Sequence, residues 1–366
     1  MERYLAPLDH EDLLVRRGRR SGVYCIVAVH STARGPALGG CRMWHYEDSR
    51  AGIRDALRLA RAMTYKSAVA GLPLGGGKGV IMLRGEATLS PERRRAALED
   101  FGDTVDLLGG AYITAEDVGT SAADMEVIAE RTPHVKGLAR ERGGSGDPSP
   151  YTALGVVTAI EVCCERVFGS PGLGGRSVAL AGLGHVGSHI ARRLAEAGAE
   201  LLVADVDQRK RDLAAELGAR WVTPEEALAA DVDVYAPCAL GAVLNDDTVP
   251  ELRCPIVAGA ANNQLADDRI ADLLNARGIL WAPDFVANAG GIVNIAVELD
   301  EGGYDPERAE ARVRGIGDTL RRVFDDAARM QATPLTAAME LARRNLAEAG
   351  GTMPATGTDP EPAGRL

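Results

Sequence analysis

The stretch from Ser177 to Pro283 constrains the fold most strongly, because apolar runs of strand length alternate there with helical segments. The apolar runs are SVALAG, ELLVADV, VDVYAP, PIVAGAA and GILWAP. Polar or alanine-rich segments of helical length lie between them. Strands that alternate with helices in this way form a parallel sheet covered by helices on both faces. The chain is therefore predicted to be an α/β protein with a Rossmann-type, doubly wound sheet in its second half.

A glycine pattern follows the first of these strands and predicts a dinucleotide site. Gly182, Gly184 and Gly187 have the G-x-G-x-x-G spacing directly after SVALA, and a helical segment, IARRLAEAG, comes next. In this context the first glycine permits a tight turn, the second admits a pyrophosphate, and the third lets helix and strand pack closely. The amides at the helix N-terminus would then bind the pyrophosphate.

The end of the second strand bears on which dinucleotide is bound. Asp205 lies 23 residues after Gly182, near the spacing of the acid that accepts the ribose hydroxyls. A carboxylate at this position repels a 2′-phosphate, which favours NAD over NADP. Arg209 and Lys210 follow closely and weaken that preference.

A run of glycine, serine and proline, GGSGDPSP at 143–150, is interpreted as a hinge between two domains separated by a cleft. Residues 1–142 are predicted to form an α/β substrate and oligomerisation domain, joined by C-terminal helices at 330–349. Residues 151–329 are predicted to form the Rossmann-type domain. Residues 350–366 are predicted to be a disordered tail.

The segment YKSAVAGLPLGGGKG at 65–79 carries two lysines, Lys66 and Lys78, in apolar, glycine-rich surroundings. It is not a phosphate-binding loop, because that motif needs glycine where Leu72 stands and a hydroxyl residue where Gly79 stands. A lysine enclosed by glycine backbone and apolar side chains loses hydration, which disfavours its charged form. Such a lysine can act as a general base while the other binds a substrate carboxylate, although two solvent-facing lysines would also fit the residues.

Charge and composition exclude several classes of protein. A formal net charge of −11 and the absence of long basic blocks argue against a nucleic-acid partner. No apolar run approaches the ~20 residues that span a membrane, and the N-terminus, MERYLAPLDHEDLL, lacks the apolar core of a secretory signal. The six cysteines form no metal-ligand pattern and are expected to be free thiols. A cytoplasmic protein without a bound metal is therefore expected.

Seven motifs occur in one order along the chain: GPALGGCRM (35–43), LARAMTYK (59–66), GLPLGGGKG (71–79), TAEDVGT (114–120), APCALG (236–241), GAANNQL (259–265) and PDFVANAGG (283–291). Together they resemble the glutamate/leucine/phenylalanine/valine dehydrogenase superfamily, over nearly the whole chain. The resemblance implies oxidative deamination of L-amino acids to 2-oxo acids and ammonia with a nicotinamide cofactor. It also implies a homo-oligomer.

The resemblance implies a role for individual residues. Lys78 is similar to the general base that activates water, and Asp117 to the acid/base partner that exchanges protons with the substrate nitrogen. Lys66 is similar to the lysine that binds the substrate α-carboxylate. The other implied substrate-binding residues are Leu38, Gly39, Gly40, Ala115, Asn288, Ile292 and Ile295. The predicted cofactor-binding residues are Gly182, Leu183, Gly184, His185, Val186, Gly187, Asp205, Thr152, Ala239 and Asn262.

The lining of the side-chain pocket bears on the substrate. Glutamate-specific members of the superfamily carry a lysine in place of Leu38 and a serine near Ile295, so glutamate is disfavoured here. The bulky Ile292 and Ile295 favour leucine, valine or isoleucine, whereas ARGILWAPDFVANAGG resembles the phenylalanine enzymes and keeps phenylalanine as an alternative. A non-catalytic sensor of NAD and amino acids is a further alternative. Degenerate relatives of that kind should have lost Lys78 or Asp117, and both are present.

Overall fold

The computed structural model of the chain describes residues 8–83 and 89–350. The tail predicted to be disordered, 350–366, lies outside the described residues from 351 onward. In the part of the chain that is described, no helix has both the length and the apolar composition needed to cross a membrane.

The chain forms two compact units that interleave along the sequence. Unit 1 contains the described residues up to Asp147, the segment Ile295–Asp305 and the described residues from Ala342 to Gly350. Unit 2 contains Pro148–Asn294 and Pro306–Leu341. The N-terminal half therefore gains two segments from the C-terminal part of the chain.

Unit 1 is built on a five-stranded mixed sheet with the strand order β1-β2-β4-β3-β5. Its strands are β1 (Asp12–Arg17), β2 (Tyr24–Ser31), β3 (Ala37–His45), β4 (Gly75–Leu83) and β5 (Tyr112–Glu116). β3 is parallel to both β4 and β5, whereas β2 is antiparallel to β1 and β4. The central strand, β4, is buried along its whole length, because strands flank it on both sides and helices pack on both of its faces.

Helices cover both faces of this sheet. They are α1 (Ser49–Val69), α2 (Pro91–Asp106) and α3 (Ala122–Ala129). On one face Ala56 and Ala60 of α1 pack against β2 and β4, and on the other Leu98 and Phe101 of α2 pack against the opposite side chains of the same strands. Ser90 caps α2 by accepting a hydrogen bond from the Arg93 amide.

The glycines before and after Lys78 allow β4 to lie unusually close to its neighbours. A Cβ atom at Gly76 would lie 2.0 Å from the backbone nitrogen of Thr64 in α1. A Cβ atom at Gly77 would lie 2.6 Å from the Tyr112 ring, and one at Gly79 would lie 2.4 Å from the Phe101 ring. The glycine run is therefore a tightly packed central strand.

Gly76→Ala is expected to lower the free energy of unfolding by about 3 kcal/mol, because the added methyl group meets backbone that cannot move aside. Urea denaturation measures this loss. Gly174→Ala is the matched control, since the nearest atom to its added Cβ lies 3.7 Å away. A loss at Gly76 no larger than that of the control would show that the packing around β4 is loose.

Unit 2 contains a six-stranded parallel sheet with the strand order β11-β10-β9-β6-β7-β8. Its strands are β6 (Ser177–Ala181), β7 (Glu200–Ala204), β8 (Arg220–Trp221), β9 (Val234–Pro237), β10 (Ile256–Val257) and β11 (Leu280–Trp281). Strands β7 and β8 lie on one side of β6, and strands β9, β10 and β11 lie on its other side. The doubly wound prediction is confirmed, and the switch point lies at the carboxyl end of β6.

The remaining helices connect these strands or follow them. They are α4 (Ser149–Phe168), α5 (His185–Glu196), α6 (Arg211–Glu216), α7 (Pro224–Leu228), α8 (Arg269–Ala276), α9 (Asp284–Ala287), α10 (Gly290–Ala296), α11 (Pro306–Arg314), α12 (Ile316–Met330) and α13 (Pro334–Glu348). α4 begins inside the stretch interpreted as a hinge, at Ser149, because Pro150 occupies a position in the first helical turn that needs no backbone N–H.

Candidate active site

Lys78 lies in the middle of β4 and is 4% exposed. A lysine this deeply buried requires an anionic partner, because an unpaired buried charge is strongly destabilising. Its Nζ atom lies 2.8 Å from Oδ2 of Asp117. The structure thus brings together the two residues predicted to carry the proton chemistry.

Asp117 follows the end of β5, where a short turn holds it. Its backbone N–H donates to the Thr120 hydroxyl at 3.0 Å, and that hydroxyl donates to the Cys41 carbonyl of β3 at 2.8 Å. A second cation, Arg42, donates from Nε to Oδ2 of Asp117 at 2.9 Å. Burial raises the pKa of the Asp117 carboxyl, but Lys78 and Arg42 lower it by more, so that its pKa falls to about 2. Asp117 is therefore ionised at neutral pH.

Sequence reasoning missed Arg42. The motif GPALGGCRM contains it, and strand alternation places Arg42 on the same side of β3 as Gly40. Gly40 pairs with Ala115 of β5. If this motif is predicted to be a strand, Arg42 is expected to lie near the end of β5, where Asp117 is located.

Glycines on β3 leave room for this arrangement. A Cβ atom at Gly40 would lie 2.6 Å from Cβ of Asp117, so any larger residue would displace the carboxylate. The space beside Gly39 is filled by the carbonyl of Gly77, at 1.7 Å from a hypothetical Cβ, so Gly39 serves the pairing of β3 with β4. Leu38 and Ala115 are buried at 1% and 3% exposure and surround the glycines with apolar side chains.

Lys66 lies in the last turn of α1, half-buried. Thr64, two residues earlier, packs against Gly76, and the hydroxyl of Ser67 donates to the carbonyl of Gly75 at 3.3 Å. These contacts fix the end of α1 on the start of the strand that carries Lys78.

In unit 2 the glycine loop has the geometry of a pyrophosphate site. Gly182 has a φ of +113°, which side chains rarely adopt, and a Cβ there would lie 2.8 Å from the backbone nitrogen of Ala239. A Cβ at Gly187 would lie 1.9 Å from the Gly182 carbonyl, so helix α5 and the loop are in close contact. Gly184 has no atom within 4 Å of its Cβ position, which leaves open space at the N-terminus of α5, beside His185 and Val186. A dinucleotide phosphate fits this space.

Asp205 lies beside that loop, at the end of β7. Its carboxylate accepts hydrogen bonds from the Leu183 amide at 2.6 Å and the Asp207 amide at 2.8 Å. Each carboxylate oxygen can accept a further hydrogen bond, so Asp205 retains acceptor capacity for ribose hydroxyls. Arg209, which weakened the sequence-based preference for NAD, forms a bidentate ion pair with Asp207 at 2.8 to 2.9 Å.

Three further predicted residues of unit 2 are Asn288, Asn262 and Thr152, and the first two are in direct contact. Asn288, 4% exposed, donates from Nδ2 to Oδ1 of Asn262 at 2.9 Å. The Thr152 hydroxyl donates to the Pro148 carbonyl at 3.1 Å and lies against Gly291, three residues after Asn288. Oδ1 of Asn288 is buried and has no hydrogen-bond partner among the described residues. A buried acceptor of this kind can be satisfied by a bound ligand.

The two isoleucines predicted to line the side-chain pocket are both buried, Ile292 at 8% and Ile295 at 7% exposure. Ile292 belongs to unit 2, whereas Ile295 begins the segment that belongs to unit 1.

Comparison with known proteins gives matches over most of the chain. Two family models match: Glu/Leu/Phe/Val dehydrogenase, dimerisation domain, over residues 12–134, and Glutamate/Leucine/Phenylalanine/Valine dehydrogenase over residues 200–352. Leucine dehydrogenase of Bacillus subtilis is 46% identical over 324 residues, which are 88% of this chain and 87% of the relative. Valine dehydrogenase of Streptomyces albus is 42% identical over 93% of each chain. The crystal structure of L-tryptophan dehydrogenase from Nostoc punctiforme has a TM-score of 0.81 and 38% identity, and it covers 96% of this chain and 99% of that one.

The fold, the lysine–aspartate pair and these matches define the class of protein as an amino acid dehydrogenase, an oxidoreductase. Within that class, the chain belongs to the Glu/Leu/Phe/Val dehydrogenase family.

Proposed function

We propose that the chain catalyses NAD-dependent oxidative deamination of branched-chain L-amino acids to 2-oxo acids and ammonia, and the reverse reductive amination. The observation that carries the proposal is the buried contact of 2.8 Å between Lys78 and Asp117 in the central part of unit 1. Such a pair supplies both proton transfers that deamination needs. A non-catalytic sensor would have no use for it.

Two lysines have separate roles in the proposed reaction. Lys66, at the end of α1, binds the α-carboxylate of the amino acid. Lys78 acts in its neutral amine form, after its ammonium has released a proton to solvent. It takes a proton from the water that adds to the imino carbon, and the product of that addition is a carbinolamine. When bound, NAD would accept the hydride that leaves the substrate Cα.

Asp117 handles the protons of the substrate nitrogen. Because its pKa is about 2, the carboxylate is ionised near neutral pH. In the proposed mechanism it accepts a proton from the substrate ammonium. The same carboxyl then returns a proton to the nitrogen as the carbinolamine breaks down, and ammonia leaves. One residue thus acts first as base and then as acid.

Apolar side chains support a branched-chain substrate. Leu38, Ile292 and Ile295 are all buried and carry no group that could pair with a substrate carboxylate. Burying the second carboxylate of glutamate beside them would cost several kcal/mol. The names of the leucine and valine dehydrogenases that this chain resembles agree with a branched-chain substrate.

The substrate is tested by measuring kcat/KM for NADH formation with leucine, isoleucine, valine, phenylalanine, tryptophan and glutamate. Leucine, isoleucine and valine are expected to give the highest values. Since one methylene in an apolar pocket changes discrimination by ~10- to 200-fold, the three can differ from one another within that range. A higher kcat/KM for phenylalanine or tryptophan than for all three would reject the branched-chain assignment and leave the reaction class intact.

The cofactor preference is tested at Asp205. Asp205→Asn removes the charge but keeps one acceptor oxygen for the Leu183 or Asp207 amide. We expect the ratio of kcat/KM for NAD to that for NADP to fall on the order of 10- to 100-fold, since the lost repulsion is that of one close charge pair. Asp246→Asn, an exposed acid of the same unit paired with Arg269, is the control. An unchanged ratio would assign cofactor choice to another residue.

We also place the chain in a homo-oligomer assembled through unit 1 and in a reducing, cytoplasmic compartment. The family model that matches residues 12–134 is described as a dimerisation domain. Strand β1 is an edge strand within the described residues, and it exposes Leu13 and Val15 at 39% and 41%. All six cysteines are free thiols, which suits a reducing compartment. Size-exclusion chromatography with light scattering tests the oligomer.

A further inference from the structure

We infer that Arg42 is a positioning residue for the reaction: it holds Oδ2 of Asp117, so that the proton exchanged with the substrate nitrogen travels through Oδ1. The inference rests on the proposed role of Asp117. It adds a residue that directs the carboxylate without touching the substrate.

Both cations contact the same carboxylate oxygen. Nζ of Lys78 lies 2.8 Å from Oδ2 of Asp117, and Nε of Arg42 lies 2.9 Å from that atom. Oδ1 receives no hydrogen bond from any residue in the described ranges 8–83 and 89–350. A carboxylate held this way can accept a proton at Oδ1 without losing a contact, because both cations are bound to Oδ2.

Arg42 is itself held in place from α1. Its Nη1 atom donates to Oδ2 of Asp55 at 3.0 Å, and the Tyr46 hydroxyl donates to the same oxygen at 2.7 Å. Arg58 donates to the other oxygen of Asp55 at 2.9 Å. The guanidinium of Arg42 therefore spans two carboxylates, and its planar fork cannot rotate away from Asp117 without breaking the contact with Asp55.

The charges that face Asp117 are few. Lys78 faces it from β4 and Arg42 from β3, and Asp55 and Tyr46 reach it only through Arg42. Cys41 and Tyr112 also lie near it. Burial raises the pKa of both groups well above their usual values, so both are neutral at the pH of catalysis. Asp55 keeps a lowered pKa and stays ionised, because hydrogen bonds and cations offset the effect of its burial.

Removing Arg42 should change the pH at which Asp117 is protonated, and removing a purely structural residue would not. Burial is the largest influence on Asp117 and favours its neutral form, and only Lys78 would then oppose it. The carboxyl would become protonated at a higher pH. A protonated Asp117 cannot accept the ammonium proton of the substrate, so the variant gains a protonation step that stops catalysis.

The test compares pH profiles of kcat/KM for Arg42→Gln, Arg42→Lys and Arg58→Gln with that of the native chain. In Arg42→Gln we expect one additional protonation to inactivate the enzyme on the acid side of the profile. There kcat/KM should fall by about a further tenfold for each pH unit. Arg42→Lys keeps one cation and should show a smaller displacement in the same direction. Arg58→Gln removes a cation from the same Asp55 without touching Asp117, and its profile should superpose on the native one.

A loss of kcat/KM by the same factor at every pH in Arg42→Gln would overturn the inference. If Arg42→Gln does not fold by circular dichroism, Arg42→Lys decides: a displaced acid side supports the inference and a superposed one refutes it. Asp117→Asn, measured in parallel, distinguishes a failure of the proposed role of Asp117 from a failure of the role of Arg42. Near-native turnover in Asp117→Asn would reject the proposed role of Asp117. An inactive Asp117→Asn with a pH-independent loss in the Arg42 variants would reject only the role of Arg42.

Discussion

Lys78→Ala is expected to remove nearly all turnover of L-leucine while the protein still folds and binds NAD. Loss of a positioned general base typically costs ~10²- to 10⁴-fold in rate. Folding should survive because Asp117 keeps Arg42 as a partner at 2.9 Å, so no buried carboxylate is left unpaired. Single-turnover and steady-state kinetics measure kcat, and calorimetry with NAD measures cofactor binding.

The chain offers a matched control for this variant. Its lysines are Lys66, Lys78, Lys136 and Lys210, and Lys136 lies in the same unit as Lys78 without contacting Asp117. Lys136→Ala should keep native turnover. Small primary amines added to Lys78→Ala should restore part of its activity, since they supply the missing base. A kcat for Lys78→Ala within about tenfold of the native value would remove Lys78 from the mechanism.

Asp117→Asn is expected to be equally inactive and, in addition, less stable. An amide cannot take the ammonium proton, and it leaves the buried Lys78 without its carboxylate partner, while Arg42 keeps only Asp55. A folded pKa of about 2 against an ordinary value of 3.8 corresponds to about 2 kcal/mol of stability. Because the pKa is lowered on folding, that contribution is present above about pH 4 and disappears as the pH falls through about 2.

Urea denaturation of the native protein and of Asp117→Asn, measured over a range of pH, tests this contribution. The difference in the free energy of unfolding should be constant from neutral pH down to about pH 4 and should narrow below it. Glu126→Gln, which removes an exposed carboxylate of the same unit, should show no such difference. Equal stability of Asp117→Asn and native protein at neutral pH would mean that the ion pair at Lys78 contributes nothing.

The sequence predicts the fold of unit 2 well because local signals agree there. Hydrophobic runs, helical segments and glycine spacing all favour the same parallel sheet, and five of its six strands follow from them. The missing strand, Arg220–Trp221, is two residues long and carries no alternating pattern. Strand PIVAGAA shortens to Ile256–Val257, because the residues after it turn away to form the loop that holds Asn262.

Unit 1 is harder to predict, and the reason lies in β4. Glycine is a poor strand former, so a run of three glycines before Lys78 reads as a loop. Only tertiary packing against Thr64, Tyr112 and Phe101 explains why small residues are required in a central strand. The contact between Lys78 and Asp117 depends on the parallel pairing of β3 with both β4 and β5, which no local signal reveals.

Long-range contacts also decide which segments join unit 1. Glu298 accepts hydrogen bonds from the amides of Gly137 at 2.9 Å and Ser145 at 2.7 Å. Asn345 of α13 donates to the Ala68 carbonyl at 2.8 Å, at the end of the helix that carries Lys66. These pairs are separated by more than a hundred residues in the sequence, so periodicity and composition carry no trace of them.

The reaction itself is tested most directly with L-leucine deuterated at Cα, incubated with NAD and the native protein. The account predicts that the deuterium is recovered in the NADH and that each NADH is accompanied by one ammonia and one 2-oxo acid. Release of ammonia without NADH, or NADH that carries no deuterium, would contradict hydride transfer from the carbon that bears the amino group.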